Sequence, residues 1–428
     1  MSEVEVVHFV WKSARWVWND RERAHSWLVA ATGCGLTEMA VRKTLGWNWA
    51  LEGRAGPLHV RLDSLFPGDD PLATDITIRG LSAGLDGPSS DPLRWLGGVD
   101  LDAETLRDMP PVSGPALLLC AVMDGPTRRL VRNLFAGRLD IDGAVQTWTG
   151  TARLRDGRLS ASFLPGSGSF APTLTDVLAA LLDIARRLLP PEDMARAAAR
   201  NAQSDPEPGV RIHHLRTVRA DAKDPQLVQA TYWAALADPA AEVRLEAALA
   251  CGPEGVPVLR AMVADEQAPD RCRARAVRLL RAELPTDLAE AALVQALGAH
   301  ASMTALACIE LLQVRHPPSI DAIVPTAEPA LVDALTKEAD VRVAAAEALG
   351  RIGTATAVLP LQEAARAHPG DGALRQVVRE SVAAIQGRLP GSSPGQLALA
   401  EGASGQISVA EDPRGRVAMP DEPEGGSE

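Results

Sequence analysis

The stretch DVRVAAAEALGRIGTATAVLPL, residues 340–361, decides the fold of the C-terminal half of this chain. Small and apolar residues recur four, seven, eight and eleven positions after Val341, at Ala345, Ala348, Leu349 and Ile352. That spacing places one apolar stripe along a helix. Residues 356–367 then carry the pattern of a second helix. The stretch therefore predicts two consecutive helices joined by a short turn.

The opening phrase of this stretch, an apolar residue followed by arginine, recurs through the C-terminal half. Clear copies begin at Val243-Arg244, Cys272-Arg273, Val341-Arg342 and Leu374-Arg375, and weaker ones begin at Val210-Arg211 and Met303-Thr304. Successive copies are about 29 to 38 residues apart, a spacing typical of paired-helix solenoid repeats. One helical pair cannot bury its apolar stripe alone, whereas stacked pairs bury one another's. We therefore expect an all-α solenoid over residues 208–389.

Two of these stretches, Asp340–Leu361 and Ala241–Leu259, resemble the HEAT-like repeats first described in phycobilin lyases. The layout of the whole chain is similar to that of uncharacterised bacterial proteins. Those proteins join an N-terminal α+β region to such repeats and to a tail with the motif GQLALAEG, here Gly395–Gly402. The resemblance implies a HEAT-like solenoid and an interaction scaffold, because most arrays of this type bind other proteins. The repeat family also includes lyases, but a shared fold does not transfer an activity.

The first 190 residues predict an α+β domain. Helical spacing of apolar residues predicts helices at 1–32, Leu36–Leu45, Thr127–Phe135 and Leu174–Leu189. Alternation or a short apolar run predicts strands around Leu58–Leu62, Asp75–Leu81, Ala116–Met123, Thr151–Arg155 and Arg158–Phe163. Asp156-Gly157 lies between the last two and favours the tight turn of a hairpin. Residues 191–207 predict a linker, and the Gly-, Ser- and Pro-rich residues 390–428 predict a disordered tail.

The amino-acid composition disfavours several classes of function. The formal net charge of −12 disfavours nonspecific nucleic-acid binding, which depends on Lys and Arg that neutralise phosphates. The five cysteines are odd in number and form no CxxC pair, so they predict neither a disulfide framework nor a zinc site. The acidic start does not resemble a signal peptide, and no apolar run reaches the roughly 20 residues that span a bilayer. We expect a cytoplasmic protein with no cofactor and no membrane partner.

The repeated arginines, Arg244, Arg273, Arg342 and Arg375, are candidates for binding an acidic partner, because guanidinium groups bind carboxylates bidentately. The alternative interpretation is that each pairs with a nearby carboxylate and holds a helix end. Trp16 is a further candidate, since it lies off the apolar stripe formed by Trp11, Trp18 and Trp27. That stripe itself predicts a core helix.

No catalytic or metal constellation emerges from the sequence. Cys34 lies between two glycines and would need a base and an orienting group to act as a nucleophile. His213-His214 is the only adjacent histidine pair, and His214 falls on the buried stripe of its repeat. Both positions are therefore interpreted first as structural. The favoured function is a non-catalytic protein-binding scaffold. The alternatives are an enzyme, lyase-like or Cys34-dependent, and a nucleic-acid-binding solenoid.

Overall fold

The computed structural model describes residues 22, 24–43, 49–64, 74–88, 110–141, 143–164, 172–315, 327–388, 397–399 and 407–409. Across these residues an antiparallel sheet region is followed by a region built from helices. The chain divides into two compact units, Met1–Ala247 and Ala248–Glu428. The first unit extends beyond residue 190, where the sequence predicts the end of the α+β domain, and also takes in several helices.

Six strands of the first unit form one antiparallel sheet. They are β1 (Thr37–Lys43), β2 (Trp49–Ala55), β3 (Leu58–Ser64), β4 (Thr74–Arg79), β7 (Thr149–Arg155) and β8 (Arg158–Leu164). Their spatial order is β1-β2-β3-β4-β8-β7. A separate antiparallel hairpin, β5 (Arg138–Ile141) with β6 (Ala144–Thr147), lies between β4 and β7 in the chain. The central pairing of β4 with β8 therefore joins segments that are distant in sequence.

One face of the sheet is apolar because side chains alternate along each strand. Leu58, Val60 and Leu62 of β3 are fully buried, as the alternation predicts. The hairpin predicted at Asp156-Gly157 is confirmed, with β7 paired to β8 on either side of it. Asp156 has φ 50° and Gly157 has φ 70°. A two-residue hairpin of type I′ requires positive φ at both central positions, which is why glycine occupies the second one.

Helices cover the apolar face of the sheet. Helix α1 comprises residues 24–33; the others are α2 (Ala116–Val122), α3 (Gly125–Phe135) and α4 (Leu174–Arg187). Trp27 of α1 is fully buried and its indole Nε1 donates a hydrogen bond of 3.2 Å to Thr74 Oγ1. Helix α4 begins with a capping box in which Thr173 and Asp176 bond each other's backbone N–H. Its buried leucines join the same core as the strands.

Two predicted elements of this unit are wrong. Leu36–Leu45, predicted as a helix, is mostly strand β1, which is paired to β2. Ala116–Met123, predicted as a strand, is mostly helix α2. A short apolar run has no periodicity that separates a buried strand from a buried helix, so tertiary packing decides between them. Helix α2 packs against a helix that the sequence assigned to the linker.

The other face of the sheet is polar. Its rows can be read from the strand register, since residues paired across strands share a face. One row crosses five strands at Arg54, His59, Arg79, Arg158 and Arg155. The next row contains Glu52, Arg61, Thr77, Ser160 and Arg153. These side chains are half-buried or exposed.

Four more helices begin within the first unit. They are α5 (Met194–Ser204), α6 (Pro208–Asp221), α7 (Pro225–Ala235) and α8 (Ala241–Cys251). The predicted linker at 191–207 therefore contains a helix. Helix α5 contacts α2, α6 and α7, and its four buried residues are alanines that permit this close approach: Ala197, Ala198, Ala199 and Ala202.

The described residues of the second unit are helical up to residue 388. After α8 come α9 (Val256–Ala264), α10 (Asp270–Leu279), α11 (Thr286–Gly298), α12 (Ser302–Arg315), α13 (Ala327–Ala334), α14 (Ala339–Ile352), α15 (Val358–Ala367) and α16 (Gly372–Arg388). Helix α10 contacts α12, α12 contacts α14, and α14 contacts α16. Each of these four also contacts the helix immediately before it in the chain.

The two helices predicted from residues 340–361 are confirmed as α14 and α15. Most of the predicted disordered tail lies outside the described residues. Within it the structure describes only two short paired strands, β9 (Leu397–Leu399) and β10 (Ile407–Val409).

Among the described residues, one stretch is long and apolar enough to cross a membrane by length and composition, Ala241–Ala264 with a mean hydropathy of 1.2. A 3-10 turn at Gly252–Gly255 interrupts it between α8 and α9. The two α-helical parts contain 11 and 9 residues, each below the roughly 20 residues that a spanning helix needs.

Candidate functional site

The repeat arginines of α6 and α8 make the same contact. Arg211 Nη1 donates to the carbonyl oxygens of Asp205 and Pro206, at 2.7 and 3.2 Å. Arg244 Nη1 donates to those of Asp238 and Pro239, at 2.9 Å each. In both cases the acceptors are the residues six and five positions earlier. The arginine thus ties its helix to the turn that precedes it.

The aspartates of these two turns have equivalent roles. Asp205 Oδ1 accepts a bond from the N–H of Glu207, and Asp238 Oδ1 accepts one from the N–H of Ala240. Each aspartate also pairs with a buried arginine that comes earlier in the chain. Arg211 donates to both carboxylate oxygens of Asp238, at 2.7 and 2.8 Å.

The second buried pair anchors the sheet region to the helices of the first unit. Arg128 of α3 donates from both Nη atoms to the carboxylate of Asp205, and Nη1 also donates to the carbonyl of Met123. Both side chains of the ion pair are almost fully buried, with 5 and 0 % exposed. Such a pair holds a specific arrangement, because either charge alone in the interior is strongly unfavourable. Arg128 was not predicted from the sequence, because no local signal identifies it.

The remaining repeat arginines differ in exposure. Arg273 is 1 % exposed and donates to the carbonyl of Val263 and to Oε1 of Gln295, at 3.1 to 3.3 Å. Arg342 is 8 % exposed, and its Nε and Nη1 have no hydrogen-bond partner among the described residues. Arg375 is exposed and Arg244 is half-buried. Burial makes Arg273 and Arg342 unsuited to contact a partner. The bonds of Arg273 go to carbonyl and amide oxygens, not to the nearby carboxylate that the alternative interpretation expects. Trp16 lies outside the described residues.

Side chains link alternate helices of the second unit, and the bonded residues are separated by a similar number of positions each time. Asp270 at the start of α10 accepts bonds from the N–H groups of Met303 and Thr304, which begin α12, at 3.0 and 2.8 Å. Gln313 of α12 donates to the carbonyl of Ala344 in α14, and Ser381 of α16 donates to that of Ala346. These bonds join residues 31 to 35 positions apart, the same interval that separates the sequence repeats.

Several reactive side chains are sealed inside. Burial lowers the pKa of His213 to about 4 and of His214 to about 3, with a further lowering by Arg216 for the first and by His213 and Arg128 for the second. Burial likewise raises the pKa of Cys120 to about 12, against a weaker opposite effect of a Thr217 hydrogen bond. At neutral pH the imidazoles are uncharged and the thiol is protonated. Uncharged side chains are expected in a buried environment, and this agrees with the structural interpretation of His214.

Cys34 lies at the end of α1, where its Sγ is 3.5 Å from the carbonyl oxygen of Thr175. Burial raises its pKa, Arg186 opposes that effect, and Asp176 adds to it. The thiolate, which is the nucleophilic form, is therefore disfavoured. Over the described part of the chain, no three His, Cys, Asp or Glu side chains converge as metal ligands.

None of the protein-family models, curated proteins or solved structures compared with this chain matches it.

Proposed function

We propose that this protein is a non-catalytic scaffold that binds other proteins, and that its second unit is a HEAT-like solenoid. The single observation that carries the proposal is the set of side-chain bonds between alternate helices, each joining one helix to the next but one in the chain. They recur at intervals of 31 to 35 residues along α10, α12, α14 and α16. Bonds at a fixed interval are what stacked repeats require, because each repeat contacts only its neighbours.

The packing in the second unit supports this proposal. Gly350 of α14 lies against α16: a Cβ at this position would be 2.5 Å from Ser381 Oγ and 2.9 Å from its Cα. Only glycine allows so close an approach. Three of the seven buried residues of α14 are alanine and one is glycine, which lets neighbouring helix backbones come near it. Such an array has no deep interior in which a catalytic centre is enclosed, and its function rests on its surfaces.

The enzyme alternatives find less support. A Cys34-dependent reaction needs a thiolate, and the raised pKa of Cys34 opposes it. No side-chain cluster among the described residues points to a lyase-like reaction. A cytoplasmic location belongs to the proposal, since an odd number of cysteines without a CxxC pair fits a reducing compartment.

The test uses the full chain as an affinity bait in a lysate of its source cells. Each recovered protein is purified, and its binding is measured by isothermal titration calorimetry. We expect saturable binding of at least one protein. Arg375→Glu reverses the charge of an exposed side chain that is predicted to contact the partner. It should weaken partner binding about five- to tenfold, as expected for the loss of a charge-assisted bond. Arg366→Glu, an exposed position on α15, is the matched control.

Absence of saturable binding by every recovered protein would overturn the scaffold proposal. So would turnover of a small molecule by the full chain that is lost in Cys34→Ser, since that result assigns a catalytic role.

A further inference from the structure

The strongest charged surface among the described residues lies on the polar face of the sheet, at the β4-β8-β7 edge. Arg79, Arg158 and Arg155 are adjacent in one cross-strand row, and Arg153 lies two residues before Arg155 on the same face. All four side chains are exposed. We call these four residues the arginine patch. We propose that the arginine patch binds an acidic peptide segment of a partner protein.

The patch is electrostatically costly to the free protein. Arg79 is directly opposite Arg158, and Arg158 is directly opposite Arg155. Like charges at paired positions destabilise a sheet. Arg155 pairs with the exposed Asp156 at 3.6 Å, and the carboxylate of Asp86 accepts a bond from the N–H of Asp156 at 3.4 Å. Arg79, Arg153 and Arg158 have no acidic partner among the described residues. A ligand with negative charge offsets this repulsion.

The opposite half of the same face shows how the fold neutralises charge when no ligand is involved. Arg61 donates to Asp63 at 2.7 Å and to Glu52 at 3.0 Å. Asp63 is paired with Asp75 across β3 and β4, and burial together with Asp63 raises the pKa of Asp75. In that half, acidic and basic side chains are interleaved. The arginine patch lacks such interleaving, although both regions belong to one sheet with one register.

The spacing of the patch suits an extended acidic peptide. Neighbouring strands are about 4.8 Å apart, so the row from Arg79 to Arg155 extends roughly 10 Å. Alternate side chains of an extended peptide are about 6.8 Å apart and lie on one side of it. Two carboxylates of the peptide therefore fall within reach of three or four guanidinium groups. Arginine binds carboxylates bidentately, which adds direction to the attraction.

A polynucleotide is the main rival ligand. Single-stranded nucleic acids are bound by basic grooves with aromatic side chains on which bases stack. The strand positions on the described polar face carry no Phe, Tyr or Trp. The absence of aromatic side chains at these described positions favours a peptide carboxylate ligand.

This inference rests on the proposed scaffold function, because it assigns the chemistry of one partner. It is tested by fluorescence anisotropy with the full chain and a fluorescein-labelled decapeptide of alternating Glu and Ser. The rival probe is an oligonucleotide of 15 thymidines with the same label. Arg158→Glu is the informative variant. It places a carboxylate between Arg79 and Arg155, which removes the repulsion within the sheet and also weakens binding of an anion.

We expect the decapeptide to bind at 50 mM NaCl and more weakly at 200 mM. Arg158→Glu should weaken binding about tenfold and leave the melting temperature unchanged or higher, so the loss cannot come from unfolding. Arg158→Gln should weaken it by a smaller factor, again without a fall in melting temperature. Arg129→Glu, the same charge change at an exposed position of α3, should alter it less than twofold.

Three results would overturn the inference. The first is no decapeptide binding at 50 mM NaCl. The second is equal weakening by Arg158→Glu and Arg129→Glu, which would indicate an effect of net charge alone. The third is tighter binding of the oligonucleotide than of the decapeptide, with the same sensitivity to Arg158→Glu. None of these bears on the affinity capture that tests the scaffold proposal, so the two proposals fail separately.

Discussion

Different interactions stabilise the interior of each of the two units. In the first, large apolar side chains such as Trp27 and Leu58 fill a core between a sheet and its helices, and two arginine–aspartate pairs are buried beside it. In the second, helices approach closely through alanine and glycine, and they are joined by bonds from side chains to neighbouring backbones. The buried arginine–aspartate pairs lie in the first unit, whereas the buried Arg273 of the second unit bonds to uncharged oxygens and a close helix contact there forms at glycine.

This difference means that opposite kinds of substitution damage the two units. The first is most sensitive to the loss of one polar group, which leaves its partner unpaired in the interior. The second is most sensitive to added atoms between close helices. All nine tryptophans precede residue 248, so tryptophan fluorescence reports on the first unit alone. Circular dichroism at 222 nm reports on the helices of both units.

The largest effect is expected from Asp205→Ala. It leaves Arg128 buried without its carboxylate, so we expect the first unit to lose about 3–5 kcal/mol of unfolding free energy. Urea unfolding followed by tryptophan fluorescence measures the change. Asp183→Ala removes an exposed carboxylate that pairs with Arg187 at 3.0 Å and serves as the control. A loss of less than about 1 kcal/mol at Asp205 would refute the importance of buried charge in this unit.

The second-largest expected effect is the loss of stability of the first unit at acidic pH. The folded-state pKa values of His213 and His214, about 4 and about 3, lie below the ordinary value of 6.5. Below pH 6.5 the unfolded chain binds protons that the folded chain does not, so stability present above pH 6.5 is lost as the pH falls toward those values. At pH 5 each histidine should cost the first unit on the order of 2 kcal/mol.

His214→Leu tests this pH effect. It should remove about 2 kcal/mol of the stability difference between pH 7 and pH 5, whatever it does at pH 7. Fluorescence-monitored urea unfolding at the two pH values measures that difference. His25→Leu is the control, because that side chain is exposed on the first unit. If the pH dependence of stability is unchanged in His214→Leu, the claim that burial lowers the pKa of His214 is wrong.

In the second unit, Gly350→Ala tests the close approach of α14 and α16. Its Cβ would meet Ser381 Cβ at 2.8 Å, so we expect destabilisation by about 1 kcal/mol or somewhat more. The circular dichroism transition should shift while the fluorescence transition stays in place. Gly298→Ala, a helical position with nothing within 4 Å, should instead stabilise slightly. Equal effects at the two glycines would remove the argument for tight helix contacts.

The smallest effect is expected from Arg278→Ala. Its side chain pairs with Glu310 at 3.4 Å, and both groups are about half exposed. Exposed pairs contribute about 0.2–1 kcal/mol, and the contribution falls with added salt. Thermal unfolding by circular dichroism at 20 and 500 mM NaCl should show the difference from the wild type shrinking. A large, salt-independent loss would mean that this bond resembles the buried pairs of the first unit.

Sequence periodicity located the helices of the second unit well, because each helix shows its apolar stripe within its own residues. The stripe after Val341 is confirmed as part of α14, and the second helix of that stretch as α15. Periodicity gave the wrong element at Ala116–Met123, where every residue is apolar and no period is visible. It also failed at Leu36–Leu45, where pairing with β2 selects the strand.

The arginine patch was not predicted, although three of its members lie on the hairpin that was. Arg153, Arg155 and Arg158 alternate with buried residues of β7 and β8, and the sequence places them on one face. Arg79 joins them only because β4 pairs with β8 across a long intervening segment. Long-range strand pairing leaves no local mark in the sequence.

Local periodicity and turn chemistry were enough to predict the hairpin at Asp156-Gly157 and the helices of the second unit, since these depend on residues near one another in the chain. They also predicted that the N-terminal region contains both helices and strands. Only the tertiary structure decided which arginines are buried. Arg273 and Arg375 occupy the same repeat position, yet one is sealed among carbonyl groups and the other is exposed. Burial depends on what packs around a side chain, and those neighbours come from elsewhere in the chain.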